Sequence, residues 1–143
     1  MNVLAVREAR AWIGTPYVHQ ASRQGAGADC LGLVRGVWRA VVGAEPEPVP
    51  AYTPDWAEPA RDEALLAAAL RWLERREPGD ERPGDVLLFR MRAGHVAKHL
   101  GIAAEVGAAA SFVHAYSGRA VVESPLSLPW RRRIVARFVF PGC

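Results

Sequence analysis

The 143-residue sequence reads as an α+β fold in which helices come first and a mostly antiparallel sheet follows. Three observations carry that reading. Apolar residues recur at helical spacing through the first half of the chain, and from Val86 onward they fall into short alternating runs. Between those runs, Gly94, Gly107 and Gly118 mark connections short enough for hairpins. A doubly wound sheet would interleave helices and strands instead.

The first element is an amphipathic helix over residues 2–13, with Val6, Ala9 and Ile13 on one face and Gly14-Thr15-Pro16 as its stop. Tyr17 opens an irregular stretch, polar and glycine-rich between Ser22 and Ala28. Asp29 then stands where a helix N-cap belongs, ahead of Leu31, Val34, Trp38 and Val41 at helical spacing. Cys30 therefore falls in the first turn of the second helix. Gly32 and Gly36 lie on that helix, each costing about 1 kcal/mol against alanine, which predicts another backbone packed closely there.

From Glu45 to Pro59 the chain is proline-rich and aperiodic, a connection wrapped on the surface and not a second domain. One domain over residues 1–143, with this surface segment at about 44–60, is the expected organisation. Asp62 to Glu77 returns to a helical pattern, with Leu65, Leu66, Ala69, Leu70 and Leu73 as its apolar face and Pro78-Gly79 as its end. Pro83-Gly84-Asp85 is a turn. Strands are predicted at Val86–Arg90, Val96–Glu105, Ser111–Tyr116, Ala120–Glu123 and Ile134–Phe140.

Half of the residues are hydrophobic, so the chain can bury a core without disulfide staples. Its two cysteines, Cys30 and the terminal Cys143, are too few for a disulfide framework. Net charge is +3, with a sequence pI near 9.3, and part of the excess is Arg131-Arg132-Arg133, read as a solvated turn with no catalytic role and no direct nucleic-acid recognition. Arg7, Glu8 and Arg10 interrupt the apolar core that a signal peptide needs, and nothing later predicts membrane insertion.

A thiol at a helix N-terminus faces unpaired N–H groups and the positive end of the helix dipole, which favour thiolate and predict a lowered pKa. Amide cleavage by a thiolate also needs a base that holds the proton and returns it to the leaving amine. Of the four histidines, His99 and His114 lie on successive predicted strands, and pairing of those strands points both to one side of the sheet. His99 is the base candidate and His114 the residue that orients it. His95 and His19 are weaker candidates, at a strand edge and in the loop before the cysteine helix. Tyr17, together with the Cys30 backbone N–H, is placed to donate to a developing oxyanion, although packing against the helix explains it equally.

Bland alternatives stand beside this one. A cysteine next to leucine is commonly a buried structural thiol, and strand histidines are commonly core or surface residues. Cys30, His99 and His114 are also possible zinc ligands, but no CxxC or HExxH spacing supports a metal, and none is assigned, nor is a cofactor. On the residues alone the nucleophilic and structural readings of Cys30 are balanced.

In its motifs the sequence resembles the NlpC-type cell-wall peptidases, which are papain-like. The matching pieces are Gly14-Thr15-Pro16-Tyr17, Asp29-Cys30-Leu31-Gly32-Leu33-Val34, Pro83-Gly84-Asp85-Val86, His99-Leu100-Gly101-Ile102 and Phe112-Val113-His114-Ala115. They occur in the family's order and span the chain from about Ala5 to Phe140. The resemblance implies Cys30 as nucleophile, His99 as base, His114 as orienting residue, and Tyr17 with Asp29 on the oxyanion and substrate side. It implies peptidoglycan as the partner and an endopeptidase cut, between D-glutamate and the diamino acid of the stem peptide. Arg23, Arg35 and Arg90 are candidates to meet a substrate carboxylate.

Within the family the chain looks most like the branch found in phage tails and gene transfer agents. Leu31 where many secreted members carry a serine, the expected absence of a signal peptide or wall-binding repeats, and the Trp130-Arg131-Arg132-Arg133 ending followed by a strand closing in Phe140-Pro141 point there. That branch implies tail-tip or hub proteins as partners, assembly in the bacterial cytoplasm and action on the wall in the periplasm. Two other readings remain: a structural tail component that retains the peptidase fold, and an amidase or acyltransferase on the same fold.

Overall fold

The computed structural model describes residues 2–47 and 63–142. Helix α1 (Val3–Ala11) starts where the Asn2 side chain accepts the Ala5 N–H at 3.0 Å, and it buries Ala5, Val6 and Ala9. A two-stranded hairpin follows, β1 (Ser22–Arg23) with β2 (Gly27–Ala28), in the stretch that the sequence leaves irregular. Helix α2 (Cys30–Val41) begins at Asp29, whose Oδ1 accepts the Gly32 N–H at 2.7 Å. At Gly32 the expected backbone is there, since a β-carbon would strike the Ala21 carbonyl; at Gly36 the close neighbour is instead a side chain, the Trp12 ring.

Helix α3 (Ala64–Trp72) is shorter than the periodicity predicts. Leu65 and Ala69 are buried, whereas Leu70 is exposed. The chain turns extended after Trp72 because Glu74–Arg75 forms strand β3 and pairs with the last strand of the sheet. Tertiary pairing overrides helical composition there. Strands β4 (Val86–Phe89), β5 (His99–Glu105), β6 (Ser111–Ala115) and β7 (Val121–Pro125) form a meander. A short helix α4 (Leu128–Arg131) precedes β8 (Ile134–Val139), which crosses back to pair with β4. The antiparallel order is β3-β8-β4-β5-β6-β7.

Side-chain alternation gives the sheet two different faces. Val86, Leu88, Leu100, Ile102, Val113 and Phe138 pack under α1 and α2 in the main core, which also holds Cys30, Leu33 and Val37. Leu87, Phe89, Ala103 and Phe112 face the other way, against Leu126 and the Trp130 ring of α4. Gly101 lies on this second side, where a β-carbon would collide with the Phe112 ring. The proline-rich segment expected at about 44–60 falls mostly outside the described residues. No helix among the described residues is long and apolar enough to cross a membrane.

Candidate active site

The cysteine sits at the head of α2 because Asp29 fixes the turn that precedes it. Both Asp29 oxygens accept backbone N–H groups, Oδ1 from Gly32 at 2.7 Å and Oδ2 from Gln20 at 2.8 Å, and the side chain is buried. Asp29, which the resemblance groups with the oxyanion and substrate residues, makes these bonds to backbone groups. Its two oxygens, each accepting a backbone N–H, hold the loop and the helix start.

Cys30 is a free thiol, buried in the helix-side core. Its Sγ lies 3.8 Å from the Lys98 carbonyl oxygen, at the point where β5 begins. Burial pushes the thiol up to about 12, the neighbouring Asp29 carboxylate adds to this, and the backbone N–H groups of Leu100, Leu31 and Cys30 pull against it. The lowered pKa expected from the helix terminus is therefore overturned. Three N–H donors lose to removal from water plus one adjacent negative charge.

Two backbone groups in contact with the thiol belong to Lys98 and Leu100, the residues on either side of His99. His99 is the first residue of β5, so the thiol meets this strand at its end. The imidazole is buried among Phe89, Trp130 and His114, with ring centroids 5.6, 5.7 and 5.1 Å away. Its Nε2 lies 2.8 Å from His114 Nδ1. That contact leaves Nδ1 as the His99 nitrogen for any other partner. Burial drives His99 down to about 3, with the charge of His114 as a smaller cause, and drives His114 down to about 4. Both rings are neutral at ordinary pH, so the resting site holds a thiol and neutral imidazoles, not an ion pair.

The strand pairing brings the two histidines together as the alternation predicts. Ile102 pairs with Val113, and a register shift further along β5 and β6 leaves His99 and His114 on the same side. Two partners of that pair carry no signal in the sequence. Ser124 places Oγ 2.9 Å from His114 Nε2. Trp130 closes over both imidazoles, 5.2 Å from the His114 centroid. The strand predicted from the sequence stops at Glu123, one residue short of the serine, and Trp130 lies beyond a turn; only the fold brings α4 over the sheet.

Tyr17 forms an isolated bridge with Ala28 and packs half-buried against the main core. Burial holds its phenol up to about 12, and the charges of Cys30 and Asp29 add to this, so it remains a proton donor across the working range. His19 approaches Asp29, with Nδ1 3.8 Å from Oδ2, and His95 lies in the loop before β5; neither joins the histidine pair. Arg35 is taken by Glu45 at 2.6 Å and Arg90 by Glu63 at 2.8 Å. Glu63 also accepts the Ala97 N–H at 2.9 Å, and Arg90 bonds the His95 carbonyl, so α3 is tied to the loop that delivers Lys98 and His99. Glu63 stands at the N-cap position of α3 but makes no side-chain bond to its own helix, because its carboxylate is committed to that loop. No group of three or more His, Cys, Asp or Glu that could hold a metal occurs among the described residues.

A cysteine heading a helix that lies on an antiparallel sheet, with His99 at the start of β5 and His114 beside it on β6, defines a papain-like fold. Residues 14–138 match the NlpC/P60 family, and the chain belongs to that family. It is 32% identical over 128 residues to the gamma-DL-glutamyl hydrolase of Bacillus subtilis (strain 168), an alignment covering 88% of this chain and 26% of that protein. The chain thus spans about a quarter of that relative's length. The NlpC/p60 domain of the peptidoglycan hydrolase SagA shares the fold with a TM-score of 0.66 and 22% identity, covering 98% of this chain and 99% of that one. NlpC1 from Trichomonas vaginalis gives a TM-score of 0.61 at 18% identity, over 95% of this chain and 42% of the other.

Proposed function

We propose that the protein is a cysteine endopeptidase of peptidoglycan stem peptides, with Cys30 as nucleophile, His99 as general base and His114 as the residue that orients it. The observation that carries this reading is the thiol at the head of α2 meeting β5 on both sides of His99, whose far nitrogen is held by His114 at 2.8 Å. The acidic product side, D-glutamate, is suggested by the name of the Bacillus subtilis relative and by the motif resemblance.

The chemistry follows from a neutral resting pair. As the scissile carbonyl arrives, Cys30 Sγ attacks its carbon while the thiol proton passes to His99 Nδ1, so that no free thiolate accumulates. Negative charge gathers on the carbonyl oxygen, and the Cys30 backbone N–H and the Tyr17 hydroxyl are the donors proposed to receive it. His99 returns the proton to the departing amine, leaving a thioester. Water then gives a proton to His99 and attacks the thioester carbon; the new carboxylate leaves and the thiol is restored.

Purified protein should release peptide fragments from sacculi, and Cys30→Ala should not. Equal digestion by the variant would overturn the assignment. Mass spectrometry of the muropeptides reads the bond: an endopeptidase frees the diamino acid side from D-glutamate, whereas an amidase frees whole stems from the glycan.

The setting we propose is a phage-like tail that opens the wall for DNA delivery. Leu31 after the nucleophile and the Trp130–Arg133 stretch support it through the branch resemblance. Particles carrying Cys30→Ala should assemble and fail to deliver DNA; normal delivery would favour a structural tail component instead.

A further inference from the structure

The side chain that the mechanism above leaves unused is Ser124. It stands on β7, an edge strand of the sheet, half-buried, with Oγ 2.9 Å from His114 Nε2. His114 Nδ1 is in turn 2.8 Å from His99 Nε2. Three groups thus form one line, Ser124 to His114 to His99. Neutral imidazole carries one proton on two nitrogens, so a line of two neutral imidazoles has just two settings.

In the first setting Ser124 Oγ accepts from His114 Nε2–H. His114 Nδ1 is then bare and accepts from His99 Nε2–H, and His99 Nδ1 is bare in turn. In the second setting the Ser124 hydroxyl donates, every proton moves one place along the line, and His99 ends with its proton on Nδ1. Only the first leaves a lone pair for the thiol proton. The second sets an N–H against an S–H, and a thiol is a poor acceptor. The number of bonds between serine and His99 is the same in both, so the ends of the line decide. At the serine end the first setting costs little, because a hydroxyl on an edge strand has solvent for its own proton. At the cysteine end it leaves Nδ1 bare for the thiol proton that the proposed mechanism delivers there.

We propose that Ser124 is a positioning residue of this site: its hydroxyl accepts from His114 Nε2 and so fixes the tautomers of both histidines with His99 Nδ1 open to Cys30. This rests on the assignment of Cys30 and His99 as nucleophile and base. It adds a fourth member to the relay, one that touches neither substrate nor thiol. The Phe89, Phe112 and Trp130 rings pack around the two imidazoles. Thr at this position keeps the hydroxyl and suits a strand, whereas Ala removes the acceptor without disturbing the ladder.

The test is the nitrogen chemical shifts of the histidine rings at neutral pH, with His19→Gln and His95→Gln supplying the assignments. In the wild-type chain His99 and His114 should both carry their proton on Nε2. Ser124→Ala should replace that single state by a mixture and lower kcat for sacculus digestion about tenfold, with KM unchanged. Ser124→Thr should restore both readouts. A wild-type His114 protonated at Nδ1, unchanged tautomers in Ser124→Ala, or altered tautomers with an unchanged kcat would each overturn the proposal. The ring shifts need no substrate, so failure of the peptidase assignment, seen as full activity in Cys30→Ala, is distinguished from failure of the relay.

Discussion

Alkylation of Cys30 gives the sharpest measure of how this site holds its proton. Burial and Asp29 raise the thiol from 9.0 to about 12. A thiol held that high is about 1,000-fold less ionised at neutral pH than an ordinary one. A thiolate of higher pKa is also the stronger nucleophile, by about 0.4–0.5 logarithmic units for each unit of pKa, which returns roughly 15–30-fold. The net expectation is iodoacetamide alkylation about 30–70-fold slower than for a free thiol, before any steric exclusion. Its logarithm should climb in proportion to pH from about 6 to 10 without a plateau, because the folded thiol titrates only above that range. Mass spectrometry of the modified chain over a pH series measures it, with Cys30→Ala separating any reaction at Cys143. A plateau beginning below neutrality would show a preformed thiolate and imidazolium pair, and would refute the reasoning that burial outweighs the helix terminus here.

Two other consequences concern the buried histidines and the loop before β5. His99 and His114 are held near 3 and 4, below the 6.5 of the unfolded chain, so the unfolded state binds more protons in between. Their contribution is fully present above pH 6.5 and is lost as pH falls toward 4; chemical denaturation should show roughly 3–6 kcal/mol less stability at pH 4 than at pH 7, and a flat profile would contradict burial of the pair in neutral form. At Glu63, replacement by Gln keeps an acceptor for the Ala97 N–H and loses only a partly exposed ion pair, about 0–1 kcal/mol. Glu63→Ala leaves the N–H of buried Ala97 unsatisfied and should cost about 1–3 kcal/mol in thermal or denaturant unfolding. Equal losses in the two variants would refute the clamp.

Much of the fold is legible in the chain because local signals agree with it. The Asp29 cap and the alternation through His99 and His114 each have a short-range cause that the sequence displays. Where local preference and long-range pairing conflict, pairing prevails. Glu74–Arg75 leaves a helical pattern to become an edge strand, and residues 96–98 leave a strand pattern because Glu63, far away in sequence, holds the Ala97 amide.

For the site, the sequence by itself determined which residue types stand at a helix head and on successive strands: Cys30, His99 and His114 follow from caps and a period of two. Only the tertiary structure decided what those groups are. Whether a thiol ionises depends on the water removed from it, and that depends on the sheet laid against α2, not on the helix terminus alone. Ser124 and Trp130 belong to the site through the sheet edge and the return of α4, contacts that no local pattern encodes. Asp29 shows the same division: its place was readable from the chain, and its partners, two backbone amides in a folded loop, were not.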